Sequence, residues 1–487
     1  MTQIPITSDE SQAVSGSLEE SESEKTTESI EAGKRKSQPI RMAVFAMFAI
    51  LFWLSAFAFG AYWLRLGPVF DRELGLAVLA AALAPPCFWI GWKLVMNWFK
   101  QFMISSALVL LVLLAGSIWV MLEGGKRWDH EVSRLNEFNG VVAMSRMVPS
   151  AIAPESNAAL IYMDVQDRMP TTTAVETIML SDLEEIADLG MLRPMLVKSR
   201  PMLEVGRKAS SLTHCIWPHD YSNYETLNFS AMSSATDVAG RLAAHALLLA
   251  EEDDLKGAVR DLEAGLRISE HIAQDPFLTS KLRHLSAQRA LITTFRLIFS
   301  TRAIPKESRI EEYLIQTDHV EHMKQAILSE IPLNLSRFNE HQNILLLRKL
   351  WFGDGAVKMD LSTYIDRMIF ATRQIQKPIT VFRAEGRVPR PPRWAVLSGM
   401  LQTDYGAFRR KVGFGEADTQ LALAAIRLRR FKDKNGKYPD QLKELGVEPN
   451  DPWTSEPFEY RREGDGFVLR SKGGGKDSDR VEWKWER

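Results

Sequence analysis

The chain has few cysteines and almost no net charge. Its 487 residues include only Cys87 and Cys215 as cysteines, and the formal net charge at pH 7 is −1. Cys87 lies inside an apolar run, where it is badly placed to pair with Cys215, so we expect no disulfide framework. A chain without a basic balance has no global electrostatic attraction for nucleic acid, and we predict no nucleic-acid partner.

The sequence also lacks the complete motifs of common enzyme classes. It contains no G-x-S-x-G nucleophile elbow, no P-loop and no dinucleotide-binding G-x-G-x-x-G. The glycine run at 473–475 precedes no predicted helix, so it cannot cradle a phosphate in the usual way. These patterns predict no catalytic residue set and no organic cofactor.

The first forty residues are acidic and polar. Residues 1–33 carry eight Asp or Glu and seven Ser, with a single Lys and almost no large apolar side chains. A segment of this composition cannot bury enough apolar surface to offset the entropy lost on ordering. We therefore predict a disordered acidic tail over residues 1–40.

Three long runs without a charged residue follow, at 42–64, 74–92 and 102–122. Each is about as long as the roughly 20 residues that a helix needs to cross the hydrocarbon core. Pro85-Pro86 stands at the centre of the second run, which is therefore either a kinked span or a re-entrant hairpin. We predict a membrane domain over residues 41–123 with three transmembrane helices.

The charges that flank these runs predict an orientation. Basic residues cluster before the first run, whereas Arg65 and Arg72 in the next loop are offset by acidic neighbours. The positive-inside rule then places the N-terminus in the cytoplasm, and three spans place the chain after residue 123 on the other side. Lys126 and Arg127 form a basic cluster that the rule disfavours there, and a re-entrant second run would reverse the orientation.

Residues 130–415 are predicted to be mostly helical. The stretch AGRLAAHALLLAEEDDLKGAVRDLEAGLRISEHIAQDP, which begins at Ala239, has helical periodicity on either side of an acidic turn at residues 251–254. Asp275-Pro276 ends the second helix and a third is predicted over 277–299. The hairpin resembles one tetratricopeptide-type unit, but no second copy occurs at a fixed period, so we predict an irregular helical domain.

Residues 416–487 are predicted to form a small α+β module. An amphipathic helix over 418–433 is followed by three alternating segments, FEYRR, FVLRS and VEWKWE. These predict a three-stranded antiparallel sheet covered by the helix. The side chains expected to be buried between them are Phe467, Leu469, Val481 and Trp483.

The module resembles the globular part of the major pseudopilin of type II secretion systems. The residues that carry this resemblance are Lys437-Tyr438-Pro439, Leu442, Leu445, Asp451-Pro452-Trp453, Tyr460, Phe467 to Ser471 and Gly473. Pseudopilins bind calcium in their closing acidic loop, which implies Asp477 and Asp479 as calcium ligands here, although glycine replaces an upstream acidic or amide residue. The first apolar run lacks the pseudopilin processing pattern, so the resemblance does not extend to assembly into a fibre.

The soluble part also resembles a broader set of uncharacterised bacterial membrane-anchored proteins. PESNAALIY at 154–162 and LEAGLRISEHIAQDP at 262–276 carry this resemblance. It implies a protein of the bacterial inner (cytoplasmic) membrane, although such proteins usually have one anchoring helix. The three apolar runs and the flanking charges predict instead a multi-pass protein with its C-terminal domain outside the cytoplasm. The resemblance implies no activity.

Two clusters contain side chains with metal-binding or nucleophilic chemistry. HCIWPHD at 214–220 contains His214, Cys215 and His219, which could form a soft metal site or a thiol-imidazole pair. Their spacing matches no zinc signature, so packing is the competing interpretation. His319 and His322 are three residues apart on a predicted helix and could face one ion, but they lack the HExxH order.

A basic segment precedes the C-terminal module. Its residues are Arg383, Arg387, Arg390, Arg393 and Trp394. It lacks the interleaved aromatic residues of nucleic-acid modules. The two interpretations are an exposed linker and, if the segment lies near the membrane, contact with anionic lipid headgroups.

These observations favour a non-enzymatic membrane-anchored envelope protein that serves as an interaction scaffold for a protein partner. The alternative is a metal-dependent envelope enzyme that uses the cluster of His214, Cys215 and His219, or the pair of His319 and His322. A transporter-like role is weaker, because the three apolar runs contain no charged residue.

Overall fold

The computed structural model describes residues 96–166, 189–222, 227–340, 342–385, 388–401, 405–446, 449–473 and 481–485. The chain divides into two compact units, Met1–Val120 and Met121–Arg487. The predicted tail over 1–40 and the predicted spans over 42–64 and 74–92 lie outside the described residues.

The apolar run at 102–122 lies within one long helix, α1, which spans Met96–Glu137. The stretch Phe102–Glu137 is long enough and apolar enough to cross a membrane, and none of its apolar window is buried. Ile104, Leu110 and Leu111 are 68%, 67% and 64% exposed. This helix indicates membrane association, and it is the one candidate span in the part of the chain that the structure describes.

The second unit is mainly helical, as predicted for residues 130–415. Its α-helices are α2 (Ala158–Gln166), α3 (Leu192–Ser210), α4 (Ser230–Glu251), α5 (Leu255–Ala273), α6 (Leu278–Phe299), α7 (Ile310–Gln316), α8 (His319–Glu340), α9 (Gln342–Ile375), α10 (Ile379–Glu385), α11 (Val396–Met400) and α12 (Tyr405–Asn435). The helices α4, α5 and α6 pack side by side, which confirms the predicted helical hairpin and the third helix after it.

The turn between α4 and α5 shows why the chain reverses at its acidic residues. Asp253 adopts a left-handed conformation with φ of 62°. Asp254 caps α5, because its Oδ1 accepts a hydrogen bond of 2.9 Å from the backbone nitrogen of Gly257. The apolar face of α5 is then directed inward, and Leu262 and Leu266 are buried.

The C-terminal strands form the predicted three-stranded antiparallel sheet. β1 (Glu459–Glu463), β2 (Gly466–Arg470) and β3 (Glu482–Trp485) lie in the order β1-β2-β3. Leu469 pairs with Tyr460 on one side and with Trp483 on the other. Phe467, Leu469, Trp483 and Trp485 are buried, whereas Val481, predicted to be buried, is only partly so.

The helix α12 joins the sheet to the rest of the second unit. It begins at Tyr405, thirteen residues before the predicted start at 418, and it ends before Gly436, whose φ of 79° stops the helix as expected. One core cluster contains side chains from α4, α5, α6, α12, β2 and β3, and Tyr460 of β1 packs against it. The predicted boundary between residues 415 and 416 falls inside α12, and the core continues across it.

Candidate functional site

The segment PESNAALIY at 154–162 fixes the loop that contains Cys215 through hydrogen bonds of Asn157. The side chain of Asn157 donates a hydrogen bond of 2.9 Å to the carbonyl of Ile216 and accepts one of 2.9 Å from its backbone nitrogen. The backbone nitrogen of Ala158 donates to the carbonyl of His214 at 3.0 Å. Asn157 therefore caps the start of α2 and also fixes the loop that contains Cys215.

The loop does not bring His214, Cys215 and His219 together as a set of ligands. His214 is exposed, whereas Cys215 and His219 are buried. Burial, with a smaller contribution from the Asp275 carboxylate, raises the pKa of the Cys215 thiol, so the thiolate that a metal or a nucleophilic mechanism requires is disfavoured. These positions fit packing better than ligation.

His219 belongs to a packed aromatic cluster. Its Nε2 lies 2.9 Å from Oδ1 of Asp275, whose other carboxylate oxygen accepts a hydrogen bond from Ser280. The ring of His219 lies 5.0 Å from the ring of Phe229 and 5.4 Å from that of Phe277. The pair of His219 and Asp275 thus ties the loop to the start of α6.

The segments PESNAALIY at 154–162 and LEAGLRISEHIAQDP at 262–276 meet at a buried hydrogen bond. The hydroxyl of Tyr162 in α2 lies 2.9 Å from Nδ1 of His271 in α5. The Nε2 of His271 lies 3.0 Å from the carbonyl of Leu212, which can only accept, so Nε2 carries the proton and Nδ1 accepts from Tyr162. Burial lowers the pKa of His271 to about 4, which keeps this ring neutral.

A second group of histidines lies in the described core. His284 of α6 lies between His319 and His322 of α8, with ring centroids 5.5 Å and 5.1 Å away. We call these three residues the histidine cluster. They lie where α5, α6, α8 and α12 meet, because Ser269 of α5 and Thr419 of α12 bond to two of the rings.

Each ring of the histidine cluster places one nitrogen towards a polar partner. His284 Nδ1 lies 3.0 Å from the carbonyl of Ser269, so this nitrogen donates and Nε2 is left without a proton. His319 Nε2 lies 3.0 Å from the hydroxyl of Thr419, and His322 Nε2 lies 3.8 Å from a carboxylate oxygen of Glu270. The other three ring nitrogens are buried and have no hydrogen-bond partner among the described residues.

Burial keeps the histidine cluster uncharged near neutral pH. It lowers the pKa of His284 to about 4, that of His319 to about 3 and that of His322 to about 2. The positive charge of Lys281 lowers the pKa of His284 and His322 further, because it lies close to both rings. Burial also lowers the pKa of Lys281 to about 8.

The backbone positions the histidine cluster through two local features. Asp318 caps α8, because its carboxylate accepts a hydrogen bond of 2.9 Å from the backbone nitrogen of Glu321. This places His319 and His322 in the first turn, where the helix dipole also disfavours a positive charge. Gly415 of α12 lies beside the cluster, where a Cβ would be 2.7 Å from Cδ2 of Leu285 and in ordinary van der Waals contact with the His319 ring.

Sequence reasoning identified the pair of His319 and His322 but missed His284. The sequence contains only a weak signal for His284. Lys281 and His284 are three residues apart on α6, which places two basic side chains on a face that is otherwise apolar. Within the described ranges, no group of three or more His, Cys, Asp or Glu side chains is arranged to hold a metal ion.

The C-terminal module contains a different kind of polar centre. Asp451 is fully buried, and its carboxylate accepts hydrogen bonds from Ser471 Oγ at 2.9 Å and from the backbone nitrogens of Trp453 and Lys472 at 2.9 Å and 2.8 Å. The Asp-Pro-Trp motif therefore closes the loop before β1 onto the end of β2. The predicted calcium ligands Asp477 and Asp479 lie outside the described residues. No protein-family model, no curated protein and no solved structure matches this chain.

Proposed function

We propose that this chain is a membrane-anchored protein of the bacterial cell envelope whose soluble unit binds a protein partner and performs no catalysis. The observation that carries the proposal is α1, whose apolar part is exposed and whose last turns belong to the core of the second unit. Leu135 is fully buried there, and Trp128 and Val132 pack against the same cluster. A single helix is thus both a candidate membrane span and a structural element of the soluble unit.

The environment of the reactive side chains supports a non-catalytic role. Cys215 is buried with a raised pKa, and His219 is bonded to Asp275 within an aromatic cluster. His271 is bonded on both sides, to Tyr162 and to the carbonyl of Leu212. The hydrogen bonds of His219 and His271 stabilise the packing of α2, α5 and α6, which is a structural role.

The finer features of the proposal come from the sequence. The apolar runs at 42–64 and 74–92 would add two spans, with the N-terminus in the cytoplasm and the soluble unit outside. The C-terminal module would be a pseudopilin-like interaction domain, by its resemblance and its helix-plus-sheet architecture. The partner would then be a protein of the envelope, such as a component of the cell wall machinery or of a secretion assembly.

The partner is tested by cross-linking in intact cells, followed by purification through a tag placed after Arg487. A tagged fragment of residues 1–123 is the matched control, since it keeps the predicted membrane segments and lacks the soluble unit. We expect a protein that is cross-linked in stoichiometric amount to the full chain and not to the fragment. Recovery of the full chain alone, together with turnover of an envelope substrate by the purified protein, would contradict the proposal.

Elemental analysis tests the alternative of a metal-dependent enzyme. The proposal predicts that the purified full-length protein holds no zinc, iron or manganese near one equivalent per chain. A stoichiometric metal that is lost on replacing His284 or His322 would favour the alternative, because neutral imidazoles are good ligands for these ions.

A further inference from the structure

The segment before α12 presents an exposed surface that is both basic and apolar. Trp394, Val396 and Met400 are 42%, 46% and 62% exposed, and Arg390 and Arg393 are exposed beside them. We call these five residues the basic apolar surface. No acidic residue occurs between positions 388 and 401. The surface therefore combines large apolar groups with positive charge, which is the composition of segments that bind anionic lipid headgroups.

Buried hydrogen bonds hold this segment in a fixed place on α9. The carboxylate of Asp360 is fully buried and accepts hydrogen bonds of 3.0 Å from the backbone nitrogens of Leu397 and Ser398. Arg367 donates to the carbonyl of Pro389 at 3.0 Å and to that of Ser398 at 2.7 Å. The basic apolar surface is therefore a built part of the second unit and not a free linker.

The level of this surface along α9 follows from the packing of α9 against the part of α1 that lies in the second unit. Gly124 packs against Gly355, and further along both helices Arg134 pairs with Asp366 at 2.8 Å. The two helices therefore run parallel. Asp360 lies five residues after Gly355, which is about 7.5 Å along the helix axis.

This level is close to the end of the apolar run. Gly124 follows Leu122, the last residue of that run, by only two positions. These two positions add about 3 Å to the roughly 7.5 Å between Gly355 and Asp360, so the level of Asp360 lies about 10 Å beyond the end of the run. The headgroup region of a bilayer extends for about 5–8 Å beyond the hydrocarbon on each side. Long side chains such as Trp394, Met400 and the two arginines can bridge the remaining distance.

We propose that the basic apolar surface binds the headgroup region of the membrane in which the chain itself is anchored, with a preference for anionic lipids. This inference rests on the anchoring that is part of the proposed function. The arginines would pair with lipid phosphates, and Trp394, Val396 and Met400 would lie against the headgroup region. The contact would give the soluble unit a second attachment to the membrane beside α1.

The test places a fluorescent probe at the surface. In a full-length chain carrying Cys87→Ala and Cys215→Ala, Met400→Cys is labelled with an environment-sensitive dye and the protein is reconstituted into vesicles. The vesicles contain phosphatidylcholine alone or phosphatidylcholine and phosphatidylglycerol in equal parts, each with a lipid that is spin-labelled in its headgroup. The matched control is Ile315→Cys, another exposed apolar position of the same unit at 58% exposure.

We expect the spin-labelled lipid to quench the dye at position 400 several-fold more strongly than the dye at position 315. The quenching should increase with phosphatidylglycerol, and the additional pair Arg390→Glu and Arg393→Glu should abolish that increase. Equal quenching at both positions, in protein that floats with the vesicles, would overturn the inference while leaving the anchoring intact. Protein that does not float with the vesicles would instead contradict the proposed function.

Discussion

Gly124 of α1 lies directly against the carbonyl oxygen of Gly355 of α9, so closely that a Cβ on Gly124 would overlap that oxygen. The neighbouring Gly125 has nothing within 4 Å of the corresponding position. Two helices approach this closely only where neither has a side chain between them. The contact fixes α9 to the part of α1 that lies in the second unit, two residues after the apolar run.

Replacing these two glycines should have opposite effects. Gly124→Ala should lower the free energy of unfolding by roughly 1–3 kcal/mol, because the new methyl group forces the backbones of α1 and α9 apart. Gly125→Ala should raise it by roughly 0.5–1 kcal/mol, because alanine loses less backbone entropy in a helix. Thermal unfolding of the full-length protein in detergent, followed by circular dichroism, measures both. Equal effects of the two substitutions would mean that the helices do not pack as described.

The histidine cluster should make the second unit sensitive to acid. The folded-state pKa values of about 4, 3 and 2 for His284, His319 and His322 lie below the ordinary value of 6.5. Groups with a lowered folded pKa stabilise the fold fully above the unfolded pKa, and this stability is lost as pH falls towards the folded pKa. The unfolded chain therefore takes up protons that the folded chain does not, and stability should fall below about pH 6.5.

Other charged groups at the same junction modify this dependence. Burial raises the pKa of Asp418 in α12 to about 6, and burial also raises the pKa of Glu270 in α5. A raised folded pKa acts in the opposite sense, since that stability is present at low pH and is lost as pH rises through it. Lys281 is already protonated below its pKa of about 8, so it adds no further loss in the acid range.

A histidine variant isolates the contribution of the cluster. His322→Gln should reduce the slope of unfolding free energy against pH by about 1.4 kcal/mol per pH unit between about pH 6 and pH 4, because one proton fewer is taken up. His130→Gln, whose side chain is 69% exposed on α1, is the matched control. Denaturant titrations at several pH values measure the slope, and the same slope in wild type and His322→Gln would contradict the burial of this ring.

Asp451 should be essential for the C-terminal module. Asp451→Asn replaces one acceptor oxygen by a donor amide that cannot accept from Ser471 Oγ and the Lys472 nitrogen, and we expect a loss of roughly 2–4 kcal/mol. Glu456→Gln is the control, because it removes an exposed ion pair with Lys472 and should leave the melting temperature unchanged. A variant Asp451→Asn as stable as the control would show that these hydrogen bonds are not formed.

Trp485 should couple the sheet to the helices. Its ring stacks on Phe467 at 5.4 Å and lies 6.4 Å from the ring of Phe295 in α6. Trp485→Ala should destabilise the second unit by roughly 3–5 kcal/mol. The sheet and the helices should then unfold in one transition with a lower melting temperature. The exposed Trp394→Ala should change stability by no more than about 0.5 kcal/mol. Two separate transitions, of which only one responds to Trp485→Ala, would mean that the module unfolds independently.

Local patterns predicted the elements whose burial is one-sided. The apolar face of α5 and the alternation of β3 were visible in the sequence, because each has one buried face. β2 was also predicted as an alternating strand, but the structure buries it at four successive positions. The helix α12 was predicted with a stripe through Leu421, Ala425 and Leu428, and these side chains are buried. The structure buries every residue from Leu421 to Ile426, since α12 lies between the sheet and the other helices. The part of α12 before residue 418 contains Gly406, Gly413 and Gly415, which lower its helix propensity, and this explains why the start of the helix was predicted thirteen residues too late.

The candidate site depended on contacts that local sequence does not contain. His319 and His322 share one turn of α8, so their proximity could be predicted from spacing. His284 reaches them only because α6 packs against α8, and that packing is set by the whole core. The cluster of His214, Cys215 and His219 shows the opposite case: the three residues are close in sequence, but the loop exposes His214 and buries the other two.

Protease digestion of intact cells or spheroplasts that carry the tag after Arg487 tests the central claim most directly. A membrane-anchored protein with its soluble unit outside the cytoplasm should lose the tag, while a cytoplasmic control protein stays intact. A tag that survives in intact spheroplasts and is lost only on lysis would contradict the claim. The soluble unit would then face the cytoplasm, and its partner would have to be sought there.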